Sequence, residues 1–229
     1  MDIQQLYSAF NQCGQNICTD TRSIERNSLF FALSGDNFDG NKFINKAIEN
    51  GCKIAISDNP ENKEKENIIY VENTLIALQE LANYHRSQFK IPVLAITGTN
   101  GKTTTKELLA CALSTKFDLL YTLGNLNNHI GVPLSLLSLK SQHQYAVIEM
   151  GASAVGEIQY LTQMAKPDVA MINNVMSAHV EGFGSIDNIA KGKGEIYNGL
   201  TNAGVAVINI ADKYASQWLD QNSQRQTLL

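Results

Sequence analysis

The sequence predicts an α/β protein: a small N-terminal α/β unit followed by a parallel-sheet domain built on a phosphate-binding loop. Three observations carry this. Short apolar, β-branched runs alternate with helix-like segments along most of the 229 residues, as strands covered on both faces by helices do. One run, Val93–Ile96, breaks at Thr97-Gly98 into a glycine-containing polar loop and then a helix-like Lys106-Glu107-Leu108-Leu109. Pro92 marks a boundary beyond which the βα alternation becomes regular, dividing residues 1–88 from residues 89–229.

In the first segment Ile3, Leu6, Tyr7 and Phe10 recur at helical spacing, and Cys13-Gly14 ends that helix. Short strands are expected at 17–19 and 29–33, and Ser34-Gly-Asp-Asn-Phe-Asp-Gly40 reads as a loop. A helix over 42–50, closed by Gly51, leads into a strand at 53–57. The charged stretch 59–67 is an exposed connection to a strand at 68–71, and Asn73 is suited to cap a helix from Thr74 to about Phe89.

In the second segment strands are expected at 93–97, 118–122, 145–150, 168–173 and 204–210, with helices at 103–115, 131–138, 154–165 and 186–199. Ligands of such sheets lie beyond the carboxyl ends of the strands, so the residues just after each strand are the ones to inspect.

After the first of these strands come Gly98, Thr99, Asn100, Gly101, Lys102, Thr103 and Thr104. A strand, a glycine loop and a helix N-terminus in that order make an anion site. Backbone N–H groups converge, the helix end contributes about half a positive charge and the lysine a whole one. Ile96 stands where the longer G-x-x-x-x-G-K-[ST] pattern has its first glycine, leaving the shorter G-x-x-G-K-T. Thr103 follows the lysine, where a hydroxyl can hold Mg²⁺ against nucleotide phosphates.

The second strand is followed by Gly124-Asn-Leu-Asn-Asn128, in which Asn125, Asn127 and Asn128 offer amides without charge. The third ends in Glu149, a carboxylate that would be costly to bury unless paired or bound to metal. After the fourth lies His179, with glycines downstream, whereas His85 and His143 read as surface residues. In Lys191-Gly-Lys-Gly-Glu195, Lys191 and Glu195 have the spacing of a solvent-side ion pair, which leaves Lys193 for the cleft. Gly192 and Gly194 imply close packing around it.

Composition narrows the remaining classes. With 44% hydrophobic and 17% charged residues and a net charge of −4, nothing suggests a nucleic-acid-binding face. No apolar run reaches membrane-spanning length and Met1–Gln15 has no signal-like core, so a cytoplasmic protein is expected. Cys13, Cys18, Cys52 and Cys111 show no metal or disulfide spacing and read as reduced, mostly buried thiols.

Together Thr19–Arg22, Ser34–Gly40, Thr97–Lys106, Gly124–Pro133, Ile148–Ala152, 178–184 and Lys191–Tyr197 resemble the Mur ligases of peptidoglycan synthesis over nearly the whole chain. The GNLNN-IGVP, HVEGFG and KGEIY strings resemble the D-alanyl-D-alanine-adding members most. The resemblance implies that residues 1–88 bind the UDP end of UDP-N-acetylmuramoyl-tripeptide, through Thr21, Arg22, Ser34, Gly35, Asp39 and Gly40. It implies that 89–229 are an incomplete central ATP domain, the C-terminal domain being absent. ATP would phosphorylate the tripeptide carboxylate, and the amine of D-alanyl-D-alanine would attack the acyl phosphate. Lys102, Glu149, His179 and Lys193 would be catalytic; Thr103, Glu149, His179 and a carbamylated Lys193 would hold two Mg²⁺; Asn125, Asn127 and Asn128 would orient phosphates or the acyl end. A monomer is expected. Asn209 and Asp212 are similar to a family Asn-x-Asp turn with altered spacing, while Asp58-Asn59-Pro60 lies in the wrong domain to be an amino-acid-binding motif. Two alternatives stay open: a folylpolyglutamate-type ligase of the same superfamily, or a nucleotide- or UDP-sugar-binding module without catalysis.

Overall fold

A computed structural model describes residues 2–35, 38–177, 180–201 and 203–229. The chain forms two compact units, Met1–Gln88 and Phe89–Leu229.

The first unit runs α1 (Ile3–Gln12), β1 (Ile17–Cys18), β2 (Leu29–Phe31), β3 (Ser34–Gly35), β4 (Phe38–Asp39), α2 (Ile44–Glu49), β5 (Ile54–Ser57), β6 (Ile68–Tyr70) and α3 (Thr74–Ser87). Its main sheet is parallel throughout, in the order β1-β2-β5-β6. Asp2 caps α1 by accepting from the Gln4 N–H, and Leu6, Ala9 and Phe10 form its buried stripe. Asn73 caps α3 by accepting from the Ile76 N–H, the role its position suggested. The 34–40 stretch is not an open loop: β3 and β4 pair as a short antiparallel hairpin.

His85 corrects a sequence expectation. It is fully buried, because α1 packs over α3 and sets Phe10 edge-on to the imidazole at 5.1 Å, with the Tyr7 hydroxyl 3.2 Å from Nδ1. The helix face that looked polar is covered by aromatic rings. His143 is half-buried, its Nδ1 accepting from the Lys140 N–H, and burial lowers its pKa.

The second unit runs β7 (Val93–Thr97), α4 (Lys102–Leu113), β8 (Leu119–Tyr121), α5 (Gly131–Leu137), β9 (Tyr145–Glu149), α6 (Glu157–Ala165), β10 (Val169–Ile172), α7 (Val180–Phe183), α8 (Ile186–Gly194), β11 (Val205–Ile208), α9 (Ala215–Gln221) and β12 (Gln226–Leu228). All six strands are parallel, in the order β12-β11-β10-β7-β9-β8. The α/β reading therefore holds for both units. β12 and α9 add to what the sequence suggested, and the helix expected over 186–199 stops at Gly194 and tightens into a 3₁₀ turn over Glu195–Gly199. The central strand β7 lies between β9 and β10, with α4 leaving on the β9 side. Crevices in parallel sheets open at such a reversal of strand order.

Candidate active site at the strand ends

In register, Ile96 of β7 stands beside Glu149 of β9, and Thr97 beside Ile172 of β10. Three strands thus end at one level, and the Gly98–Gly101 loop leaves from their centre. The Thr97 hydroxyl ties the loop's base to β9 by donating to the Met150 carbonyl at 2.8 Å. Gly101 lies at φ +76°, a left-handed conformation that glycine adopts without strain. At Gly98 a Cβ would come within 2.9 Å of the Asn173 side chain.

The loop is braced from the β10 side. The Thr99 N–H donates to the Asn174 carbonyl (2.9 Å), the Asn100 N–H to Asn174 Oδ1 (3.0 Å), and Asn174 Nδ2 returns a bond to the Asn100 carbonyl. That strand end is held in turn by the next one. Asn209 Nδ2 donates to the Asn173 carbonyl (2.8 Å), and the Val175 N–H donates to Asp212 Oδ2 (2.7 Å).

Lys102 opens α4 and folds back, its ammonium donating to the carbonyls of Gly98 (2.8 Å) and Thr99 (3.1 Å). Burial lowers its pKa, and the Glu149 charge works against that shift. Glu149 is 1% exposed. Its Oε1 accepts from Asn127 Nδ2 (2.8 Å) and from the Thr103 hydroxyl (3.3 Å), and its own N–H donates to the Thr122 hydroxyl (3.0 Å). Its other oxygen, Oε2, is buried with no hydrogen-bond partner. A buried carboxylate oxygen left bare is costly, so this one is positioned for a ligand such as a hard cation. The Thr103 hydroxyl and the Glu149 carboxylate are the oxygen donors available there for such a cation.

Lys193, near the end of α8, is 3% exposed, and burial followed by the Lys102 charge brings its pKa down to about 8. Packing around it is as tight as the glycines implied. A Cβ at Gly192 would meet the Phe183 ring at 2.6 Å, and one at Gly194 the Trp218 indole at 3.2 Å.

Glu195 departs from expectation. Lys191 is exposed, but Glu195 is buried and its carboxylate accepts from the N–H groups of Gly156 (2.7 Å) and Gln159 (3.0 Å) at the start of α6. The 3₁₀ turn beginning at Glu195 swings it off the helical line to Lys191, so it caps a neighbouring helix and forms no solvent-side pair.

The structure brings together Gly98–Thr103, Asn127, Glu149 and Lys193. Thr104 and Asn125 are exposed, and the Asn128 side chain is used at the start of α5, its Oδ1 accepting from the Ile130 and Gly131 N–H groups. His179 lies outside the described residues. Sequence reasoning missed Lys106. It is fully buried, donates to the Thr122 carbonyl (2.7 Å) and pairs with Glu107 (2.8 Å), fixing the residue whose hydroxyl receives the Glu149 N–H. No sequence signal marks it. Asn173 and Asn174, by contrast, could have been found by inspecting the residues after β10 as closely as those after β9.

In the first unit Thr19, Asp20, Thr21, Arg22, Phe38 and Phe43 help line a cavity of about 550 Å³. The Phe38 and Phe43 rings stack at 5.4 Å, and Arg22 holds the Asp20 carboxyl at a pKa of about 2 through a side-chain hydrogen bond. Asp39 accepts from the Ser34 hydroxyl and from Asn41, which also reaches Asp58 (2.8 Å) and accepts from Ser57 (2.7 Å). A Cβ at Gly40 would collide with the Leu33 backbone, whereas Gly35 has open space around it. Asp58 also receives the Thr74 N–H and hydroxyl at the start of α3, a structural duty.

Comparison with known proteins agrees with this layout. The Mur ligase middle domain model matches residues 96–228, and the model of the Mur ligase family catalytic domain matches residues 15–86. A Haemophilus influenzae UDP-N-acetylmuramoyl-tripeptide–D-alanyl-D-alanine ligase is 43% identical over 89% of this chain and 46% of its own length. The structure of the Acinetobacter baumannii UDP-N-acetylmuramoylalanyl-D-glutamyl-2,6-diaminopimelate–D-alanyl-D-alanyl ligase superposes with TM-score 0.88 at 38% identity, covering 99% of this chain and 52% of that one. Thermotoga maritima MurF ligase in complex with ADP gives 0.83 at 33% identity, covering 95% and 50%. The chain thus spans about half the length of the relatives it matches. With its two halves matched by two models of one family, the chain belongs to the Mur ligase family.

Proposed function

We propose that the chain carries the ATP-binding and UDP-substrate-binding parts of a ligase that joins D-alanyl-D-alanine to UDP-N-acetylmuramoyl-tripeptide through an acyl phosphate. One observation carries the reading: Lys102, Thr103 and the bare carboxylate oxygen of Glu149 meet at the ends of adjacent parallel strands, with Lys193 close enough for the Lys102 charge to depress its pKa. The relatives at about 40% identity supply the substrate class.

The loop from Gly98 to Thr104 wraps the phosphates of ATP; the Thr99 and Asn100 N–H groups stay on Asn174, and those of Gly101 to Thr104 at the start of α4 face phosphate oxygens. Lys102 exchanges its two loop carbonyls for phosphate oxygens and stabilises charge that builds as the γ-phosphoryl group moves. An oxygen of the tripeptide carboxylate attacks the γ-phosphorus and ADP departs. The amine of D-alanyl-D-alanine then attacks the acyl carbon, and inorganic phosphate leaves as the amide forms. Thr103 and Glu149 fit a Mg²⁺, which when bound neutralises phosphate charge. His179 and Lys193 are the candidates for a second. A lysine with a pKa of about 8 has a neutral fraction at cellular pH that can add CO₂, giving a carbamate with the oxygen donors a hard cation prefers. Asn127 holds Glu149 in place, and Asn125 and Asn128 flank the acyl end.

In the first unit the stacked Phe38 and Phe43 offer a flat apolar platform, with Thr21 and Arg22 on the same cavity to meet a diphosphate. Ser34, Gly35, Asp39 and Gly40 form the hairpin that carries Phe38. A reaction that consumes ATP and a UDP-linked precursor would run in the cytoplasm. No helix among the described residues is long and apolar enough to cross a membrane.

The test is phosphate release from the full-length protein with ATP and UDP-N-acetylmuramoyl-tripeptide, with and without D-alanyl-D-alanine. Release that needs all three supports the reading. Turnover with a pterin-glutamate substrate instead would assign the chain to the folylpolyglutamate-type branch.

A further inference from the structure

A fully buried lysine is an expensive residue. A whole charge is taken out of water, and an apolar side chain of similar volume often serves stability as well or better. Lys106 is such a lysine. Its ammonium donates to the Thr122 carbonyl (2.7 Å), pairs with the Glu107 carboxylate (2.8 Å) and lies 5.8 Å from the centroid of the Tyr121 ring. Glu107 is itself half in water, so that pair offsets little of the cost. The contact that sets Lys106 apart is the one to Thr122, just past the end of β8.

Thr122 is a node between β8 and β9. Its N–H donates to the Val147 carbonyl (3.0 Å), its hydroxyl accepts the Glu149 N–H (3.0 Å), and its carbonyl takes the Lys106 ammonium. Further along the same segment, Asn127 donates to Glu149 Oε1 (2.8 Å) and accepts the Gly151 N–H on its carbonyl (2.7 Å). The segment therefore grips Glu149 at both main chain and carboxylate, and Lys106 ties the segment to α4. Thr103 lies on the same face of α4, three residues before Lys106. Its hydroxyl is 3.3 Å from the same Glu149 oxygen, too long a contact to fix the two elements alone.

We propose that Lys106 is a positioning residue. Through the Thr122 carbonyl it sets the separation between the Thr103 hydroxyl and the Glu149 carboxylate at which both hold one nucleotide-bound Mg²⁺. The proposal rests on the reading of those two residues as oxygen donors to that cation. Mg²⁺ demands near-ideal octahedral geometry, with oxygens at about 2.0–2.1 Å. Two donors carried on different elements meet that demand only if the elements are rigidly linked. A charged donor on a carbonyl makes a stronger link than a neutral one, and Lys106 supplies it beside Thr103 without occupying the metal's own space.

The experiment is calorimetric titration of the full-length protein with the β,γ-imido analogue of ATP, once with Mg²⁺ and once in EDTA. The wild type is expected to bind more tightly with Mg²⁺. Lys106→Met keeps the length and loses the donor. It should weaken binding with Mg²⁺ by at least about tenfold, the usual cost of removing a group that orients a metal ligand, and leave binding in EDTA unchanged. Equal weakening in both titrations, or none in either, is what a packing role predicts and overturns the proposal. Should thermal melts show Lys106→Met unfolded, Thr122→Val and Thr122→Ser carry the test. Valine removes the hydroxyl that accepts the Glu149 N–H and should cost the same Mg²⁺-dependent affinity, whereas serine keeps it and should bind as the wild type does. A valine variant with wild-type affinity in Mg²⁺ overturns the proposal. A wild type that binds equally with and without Mg²⁺ removes the metal reading and the proposal with it.

Discussion

Met1–Gln88 and Phe89–Leu229 are both parallel sheets with packed helices, and both gather polar side chains where their strands end. They differ in how they treat charge. In the second unit Lys106, Glu149 and Lys193 are almost completely buried and Lys102 is half-buried. In the first, the corresponding network joins the Ser57 hydroxyl and the Asn41 and Asn62 amides to the partly exposed carboxylates of Asp39 and Asp58, and the Arg22 side chain is 87% exposed. Desolvated charges cost folding energy and act strongly on a bound anion, because little water screens them. Exposed charges and neutral amides cost little and suit recognition. The contrast separates a unit that buries charge at its strand ends from one that leaves its charge there more exposed.

The sharpest way to break that contrast is Lys102→Ala. Phosphate release should fall by about 10³-fold, and near-normal turnover would remove the phosphate-loop assignment. Next is Lys193→Met, which should lower turnover by less than Lys102→Ala does, yet stabilise the apo-protein by roughly 3 kcal/mol at pH 7, from the depressed pKa. The sign follows from proton counts. The unfolded lysine keeps its proton up to about pH 10.5 and the folded one only to about 8, so wild-type stability rises between those values. The methionine variant's advantage should be full below pH 8 and vanish above 10.5, as thermal melts across pH would record. Glu195→Ala removes a charged cap from α6 and should destabilise by about 2 kcal/mol in denaturant titration. Asn41→Ala loosens the hairpin of the first unit. It should raise KM for the UDP substrate about fivefold, about 1 kcal/mol, while KM for ATP stays constant. If KM for ATP moved equally, the division of labour between the units would fail.

Much of this was legible in the residues themselves, for identifiable reasons. A strand that ends in glycines and a lysine has few other uses, and a glutamate closing an apolar strand has few cheap ones, so Lys102 and Glu149 stood out. Lys106 did not, because a lysine inside an amphipathic helix is usually solvated and only the approach of Thr122 from β8 buries it. His85 was misjudged for a related reason: the ring that covers it comes from Phe10, far away in sequence. Glu195 obeyed the spacing of an ion pair, but a change from α to 3₁₀ geometry at that residue redirected it. β12 escaped notice because Gln226-Thr-Leu228 has no apolar run, and only pairing with β11 makes it a strand. Local pattern thus located groups whose neighbours lie within one βα turn and failed where burial is conferred from a distance.

The bracing of the phosphate loop through Asn174, and of that segment through Asn209 and Asp212, bears on kinetics. A glycine-rich loop free in water would lose about 1–2 kcal/mol of backbone freedom per residue when a ligand froze it. Here that ordering is complete once the sheet assembles, so nucleotide capture should be fast and governed by diffusion. Cutting the outermost tie, with Asn209→Ala, should slow association while leaving every atom that touches phosphate in place.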